Sequence, residues 1–208
     1  VCFGLSEPLH GQLVYNHHKP TYMASLQITY ANTARSLRAL YYIRAAFNII
    51  WVALITINAS ASQDTIAILL IIYPLWDVIG TIADILINRG TDSLMPQYVN
   101  LAISAVAAIA VAFAIRDGIP NALLVFGIWA IIAGVIQLVT ALRRQKQLGA
   151  QWPIMISGGQ STIGGLAIIL LAHHTTFGLL TLAGYAAFGA FYFLLGAISI
   201  TKRLRKGF

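Results

Sequence analysis

The stretch TIAILLIIYPLWDVIGTIADILIN, residues 65–88, decides how the chain is read. It is almost wholly apolar and long enough to cross a hydrocarbon core, which takes about 20 such residues in a helix. Yet it carries two acids, Asp77 and Asp84, seven residues apart and so on one helical face. What the acids mean depends on the solvent around them. The rest of the chain answers that first.

Of 208 residues, 59% are apolar and 9% charged, against about 45–50% and about 25% in a soluble domain. This is the composition of an integral membrane protein. The single cysteine, Cys2, excludes an intramolecular disulfide framework and a cysteine-based zinc site. The first 38 residues hold no long apolar core, so no cleavable signal peptide is visible.

Five further apolar runs match the first in kind, giving spans at 39–59, 65–88, 96–115, 120–142, 153–172 and 175–200. Turn-rich segments separate them: NASASQ, NRGTDS, RDGIPN and RRQKQLGAQ, then His173-His174-Thr175-Thr176. In lipid every backbone polar group must be satisfied internally, which selects helices over open sheet. The expected fold is all-α and integral to the membrane, with six transmembrane helices forming three helical hairpins. Of the 13 lysines and arginines, Lys19, Arg35, Arg38, Arg44, Arg89, Arg143, Arg144, Lys146, Lys202, Arg203, Arg205 and Lys206 fall on one side, and only Arg116 on the other. The positive-inside rule then places both termini in the cytoplasm. It also accounts for the RRQK and KRLRK clusters as topogenic charge, without nucleic acid as a partner.

The domain reading has three parts. Residues 1–38 form a cytoplasmic N-terminal tail, 39–201 the six-span domain, and 202–208 a basic cytoplasmic tail. Residues 1–22 precede the first methionine, Met23, and read as a cloning or start-site artefact or as a disordered tail. His10, His17 and His18 lie there without an ordered scaffold, so no metal site is expected.

Spans 2 and 4 resemble each other when Trp76 is laid on Trp129: WDVIGTIADILINR then faces WAIIAGVIQLVTALR, with Gly80 on Ala133 and Asp84 on Gln137. That similarity suggests duplicated hairpins. Small residues at four-residue steps, Ser157, Ser161 and Gly165 in span 5 and Asn100, Ser104, Ala108 and Ala112 in span 3, suit close helix packing. Gly80 and Gly134 are assigned to packing as well. The Gly158-Gly159 pair reads as packing rather than as a hinge.

GIWAIIAGVIQLVTALRRQKQLGAQWPIMISGGQSTIGGLAIILL, residues 127–171, combines a glycine-containing span, a basic loop, an aromatic at the next helix start, and Ser-Gly-x-x-Ser-x-x-x-Gly. In this it resembles the HdeD-like family of small bacterial membrane proteins. The resemblance is best over about 120–172 and extends over 39–205. It implies a six-span protein of the bacterial inner membrane, linked to acid resistance. It brings no catalytic residues with it.

An ionised acid at mid-membrane costs about 2.5–3.5 kcal/mol on insertion scales. Asp77 sits near that depth and Asp84 nearer the interface. Two readings follow for Asp77: a proton or ion site facing the bundle interior, or a tie to a neighbour through Asn48, Gln137 or Arg44. By depth, Arg44 is the expected partner of Asp84. His173 and His174, which change charge near neutral pH, are candidate sensors of external pH. Histidine-glutamate zinc motifs, nucleophile elbows and Walker loops are absent from the sequence. The expectation is therefore a non-enzyme without cofactor, partnered by the bilayer and by further copies of itself. Its expected role is acid-stress or envelope protection. The alternative is a small proton-linked transporter or channel using Asp77.

Overall fold

The computed structural model describes residues 9–89 and 94–206, with side chains at 28–89, 94–174 and 178–206. The histidines of the N-terminal segment and the stretch 90–93 therefore lie outside the described side chains. The apolar runs become six helices: α1 Leu9–Ile57, α2 Gln63–Ile87, α3 Met95–Ala114, α4 Ile119–Leu148, α5 Trp152–Leu171 and α6 Thr175–Lys206. A 3-10 turn, Ile115–Asp117, joins α3 to α4, and no strand occurs among the described residues. All six helices are long and apolar enough to cross a membrane.

Local chemistry explains the ends. Pro96, Pro120 and Pro153 stand in the first turns of α3, α4 and α5, where a missing N–H costs nothing. Ser62 caps α2, its hydroxyl accepting from the Thr65 amide. Gly149, at φ +62°, ends α4. Two helices run past their apolar cores, because arginine, lysine and glutamine are good helix formers. Thus RRQKQL continues α4 and the KRLRK segment continues α6.

The first helix also differs from expectation. Where the sequence suggested a tail up to residue 38, the chain is already helical from Leu9, and its stretch Ile28–Ile57 is long and apolar enough to cross a membrane. Ala34, Leu37, Tyr41 and Ala45 are buried at three- and four-residue steps, with Arg35 exposed and Arg38 half-buried. This amphipathic stripe carries the helix below the apolar run.

Each helix packs on the next in the chain, and α6 packs along α1, so the six close into a ring. Outward faces are apolar, with Ile50, Ile79, Val106, Ile163 and Phe188 exposed, as lipid-facing positions are. Two apolar clusters fill the interior. One gathers Trp51, Leu70, Tyr73, Phe126, Trp129 and Leu182. The other gathers Leu37, Tyr41, Ala141, Ile154, Phe193 and Ile200. Between them α1 contributes Arg44 and Asn48, α2 Asp77, and α4 Gln137.

Candidate functional site

Asp77 sits in this middle layer and is held from two helices besides its own. Oδ1 accepts from Arg44 Nη1 on α1 at 2.8 Å. Oδ2 accepts from Asn100 Nδ2 at 2.7 Å and from Ser104 Oγ at 2.8 Å, both on α3. Asn100 also donates to Thr81 Oγ1, and Trp129 Nε1 on α4 donates to Ser104 Oγ at 3.0 Å. Both ion-pair side chains are only 15% exposed. Buried charges in a membrane bundle persist when paired and hydrogen-bonded in this way.

Arg44 occupies a slot of its own. Its guanidinium lies 5.5 Å from the centre of the Phe193 ring. On the other side it presses on the backbone of Gly80, where an added Cβ would lie 2.6 Å from Nη2. Gly80, expected at a helix contact, is the seat of Arg44.

Asp84 forms the second pair, and its partner corrects the expectation. Arg144 Nη2 on α4 donates to Asp84 Oδ2 at 2.6 Å, while Arg44 belongs to Asp77. The cause is register. Trp51 Nε1 donates to the Leu69 carbonyl at 2.9 Å, so positions equally far from the turn at 58–62 meet across α1 and α2. Arg44 and Asp77 match in distance from that turn to within one residue; Arg44 and Asp84 do not. Nor do Asn48 or Gln137 bond Asp77: Gln137 donates to the Ile154 carbonyl at 3.4 Å.

The second pair has its own shell. Asn88 Nδ2 donates to Asp84 Oδ1 at 3.0 Å. Gln97, with its amide turned to satisfy both neighbours, accepts from Arg144 at 3.0 Å and donates to the Leu94 carbonyl. The Tyr41 hydroxyl, on the wall of the same site, donates to Gln151 Oε1 at 2.8 Å.

The two pairs border one cavity of about 70 Å³, lined also by Thr81, Gln97, Asn100 and Gln137. A second cavity of about 40 Å³ lies beyond the Arg44–Asp77 pair, towards Asn48, Tyr73 and Tyr185. Arg44, Asp77, Ala133, Gln137 and Phe193 line both, so the pair is the partition between two chambers. A water takes about 30 Å³ in the liquid, so the larger chamber has room for about two waters and the smaller for about one. The charges balance within the site, so it offers polarity without a free ion.

The other candidate residues fall elsewhere. Ser157, Ser161, Gly134 and Gly165 form the contact between α4 and α5. An added Cβ at Gly134 would lie 2.8 Å from the Gly158 carbonyl, and one at Gly165 2.7 Å from that of Gly127. Ser161 Oγ donates to the Ala130 carbonyl at 3.0 Å and meets the Tyr185 hydroxyl at 2.9 Å. His173 and His174 are exposed on the turn before α6, apart from both chambers.

Sequence reasoning assigned Arg144 to loop charge. A signal was there: Gly127, Ala130, Gly134, Ala141 and Arg144 recur at three- and four-residue steps or their sum and are all buried. Asn100 and Ser104 were legible as a ladder of small residues, but not as the ligands of an acid. Among the described residues no group of three or more His, Cys, Asp or Glu is placed to hold a metal ion. No family model matches the chain, and neither a curated protein nor a solved structure does.

Proposed function

We propose that the chain is a small proton-linked transporter or channel whose route runs through the two central chambers. The observation that carries this reading is the polar cavity, with two ion pairs on its wall, inside a ring whose outer face is apolar. Pro74, inside α2 one turn before Asp77, withdraws an N–H from the helix ladder. That gives the wall beside the ion pair a point of bending, in keeping with the interrupted helices of many transporters.

In this reading the six helices are three hairpins with both termini cytoplasmic, supported by the one-sided lysines and arginines. The bacterial inner membrane as location is supported by the HdeD-like resemblance of residues 127–171. A non-enzymatic role is supported by the charges on the chamber wall, which are paired with each other.

The test is proton flux into vesicles holding the purified chain, followed with an enclosed pH dye. Wild type is expected to exceed empty vesicles, and Asp77→Asn and Arg44→Gln to lose that excess. Wild-type flux equal to that of empty vesicles sinks the proposal.

The second reading is acid-stress or envelope protection of HdeD type without transport. It is favoured by the complete hydrogen bonding of Asp77, which is what a structural tie between helices requires. Survival of source cells at low pH separates the two. Rescue of a deletion strain by both wild type and Asp77→Asn, at equal expression, favours protection; rescue by wild type alone favours transport.

A further inference from the structure

We propose that the outer face of α5 around Gln160 docks a second copy of this chain within the bilayer, and that the two copies join through their Gln160 side chains. The proposal is independent of what the chambers pass, since it concerns the lipid-facing side of the ring.

Gln160 lies near the middle of α5, Trp152–Leu171, and so at mid-membrane depth. Its neighbours in the chain are bonded: Ser161 to the Ala130 carbonyl and the Tyr185 hydroxyl, Thr162 to the Gly158 carbonyl at 3.1 Å. The Gln160 amide has no hydrogen-bond partner among the described residues. The residue is half-buried and shares its side of the helix with two that face lipid, Ile156 at 45% exposure and Ile163 at 72%. Its Nε2 lies along the helix, 3.6 Å from where a Cβ on Gly164 would stand. Acyl chains offer no hydrogen bond, and an unsatisfied polar group in hydrocarbon is costly. The headgroups are about 15 Å away, beyond the reach of a glutamine.

Gly159 is the second observation. The other glycines of α5 are used within the chain: Gly158 and Gly165 meet the backbone of α4, and Gly164 meets the Tyr185 ring. Gly159 has no atom within 4 Å of an added Cβ. A glycine inside a helix destabilises it relative to alanine, and nothing in the single chain offsets that here. It leaves a flat place beside Gln160 where another backbone can come close. Gly184 of α6 is as open, but the large exposed side chains around it, Leu180, Phe188 and Phe191, are apolar. That face has no bond to offer.

The chemistry of the amide selects the occupant. It both donates and accepts, so two of them form a reciprocal pair in which each Nε2 donates to the other Oε1. Copies of one chain insert in one orientation, and a two-fold axis along the membrane normal sets each residue at the depth of its own counterpart. A second copy thus supplies the matching amide at the matching depth. α5 carries no charged residue, so the symmetric contact brings no like charges together.

The experiment is disulfide trapping of the full chain in phosphatidylethanolamine–phosphatidylglycerol vesicles, over a series of dilutions in lipid. Cys2→Ser removes the native thiol. Ile163→Cys then reports the α5 face. Ile79→Cys, on α2 across the ring and 57% exposed, reports a face outside the contact. Oxidation is expected to give a covalent dimer and no larger species from Ile163→Cys, and none above random collision from Ile79→Cys. Adding Gln160→Leu, which removes the amide, should raise at least about fivefold the protein-to-lipid ratio at which half the chain is trapped. Gly159→Leu adds bulk that the single chain has room for and should abolish trapping. In excess detergent, where copies are apart, both variants should unfold no earlier than wild type. If Gly159→Leu does unfold earlier, Gln160→Leu alone decides. Trapping unchanged in Gln160→Leu overturns the proposal, as does equal trapping from Ile163→Cys and Ile79→Cys. A purified chain that stays monomeric, while Ile163→Cys traps a different protein in native membranes, assigns the face to that partner and overturns the second copy.

Discussion

The two faces of α4 are built on opposite principles. Towards α5, Gly127 and Gly134 of this helix meet Gly165 and Gly158 of the other, and the two backbones come into direct contact. Towards α2 and α3 it presents Trp129 and Arg144, which bond Ser104 and Asp84. The first face gains dispersion from close approach, as membrane helices do through small residues. The second keeps helices apart and fills the gap with paired charge and space. One helix thus serves as the fixed wall on one side and the polar wall on the other.

Mutations that spoil each face sharpen the contrast. The largest effect is expected at the polar wall. Arg144→Met leaves the Asp84 carboxylate buried without its counter-charge, at a cost of about 3–5 kcal/mol. Adding Asp84→Leu should restore most of it, since replacing a buried pair with apolar groups is often neutral. Denaturant unfolding in detergent measures both. A single variant as stable as wild type means that the pair does not organise this wall.

Next comes the glycine seam. A Cβ on Gly158 would lie 2.7 Å from the Leu138 amide nitrogen and 2.8 Å from the Gly134 carbonyl. These are backbone atoms that cannot swing aside. Gly158→Ala is expected to cost about 1–3 kcal/mol as overpacking, read as a lower unfolding midpoint. Its neighbour is the control. Gly159 has no atom within 4 Å of an added Cβ, so Gly159→Ala should gain about 0.5–1 kcal/mol from helix propensity alone. If the two adjacent substitutions behave alike, the seam is not where the structure has it.

The smallest change in stability is expected at Gly80. Its new methyl would meet the flexible end of Arg44 rather than backbone. The helix gains about 0.5–1 kcal/mol by losing a glycine, which offsets the displacement. Gly80→Ala should therefore fold like wild type yet lose proton flux as Arg44→Gln does. Unaltered flux would show that Arg44 works equally well out of its slot.

The six spans were legible because apolar runs of this length leave the backbone no alternative to a helix. The ion pairs were half legible. Asp77 and Asp84 stood out as acids in an apolar run, but their partners depend on register. Depth counted from the start of the apolar run put Arg44 beside Asp84, whereas register counted from the turn at 58–62 puts it beside Asp77. Arg144 was hidden because an arginine at the end of an apolar run looks like loop charge, and only its alignment with the small residues of α4 marks it as buried. The chamber of Asn48 and Tyr73 was not legible at all. It requires Gly189 of α6 to lie opposite α1, and local patterning says nothing about which distant helices meet.

The closed ring also imposes an order of assembly. Asp77 finds Arg44 in the helix before it and Asn100 and Ser104 in the helix after. Its charge is thus compensated once three helices are in the bilayer. Asp84 must await Arg144, 60 residues further along. The boundary between α1 and α6 is sealed last of all, when the final helix returns to the first. A nascent chain halted after α3 would hold one acid matched and the other still exposed to whatever insertion machinery surrounds it.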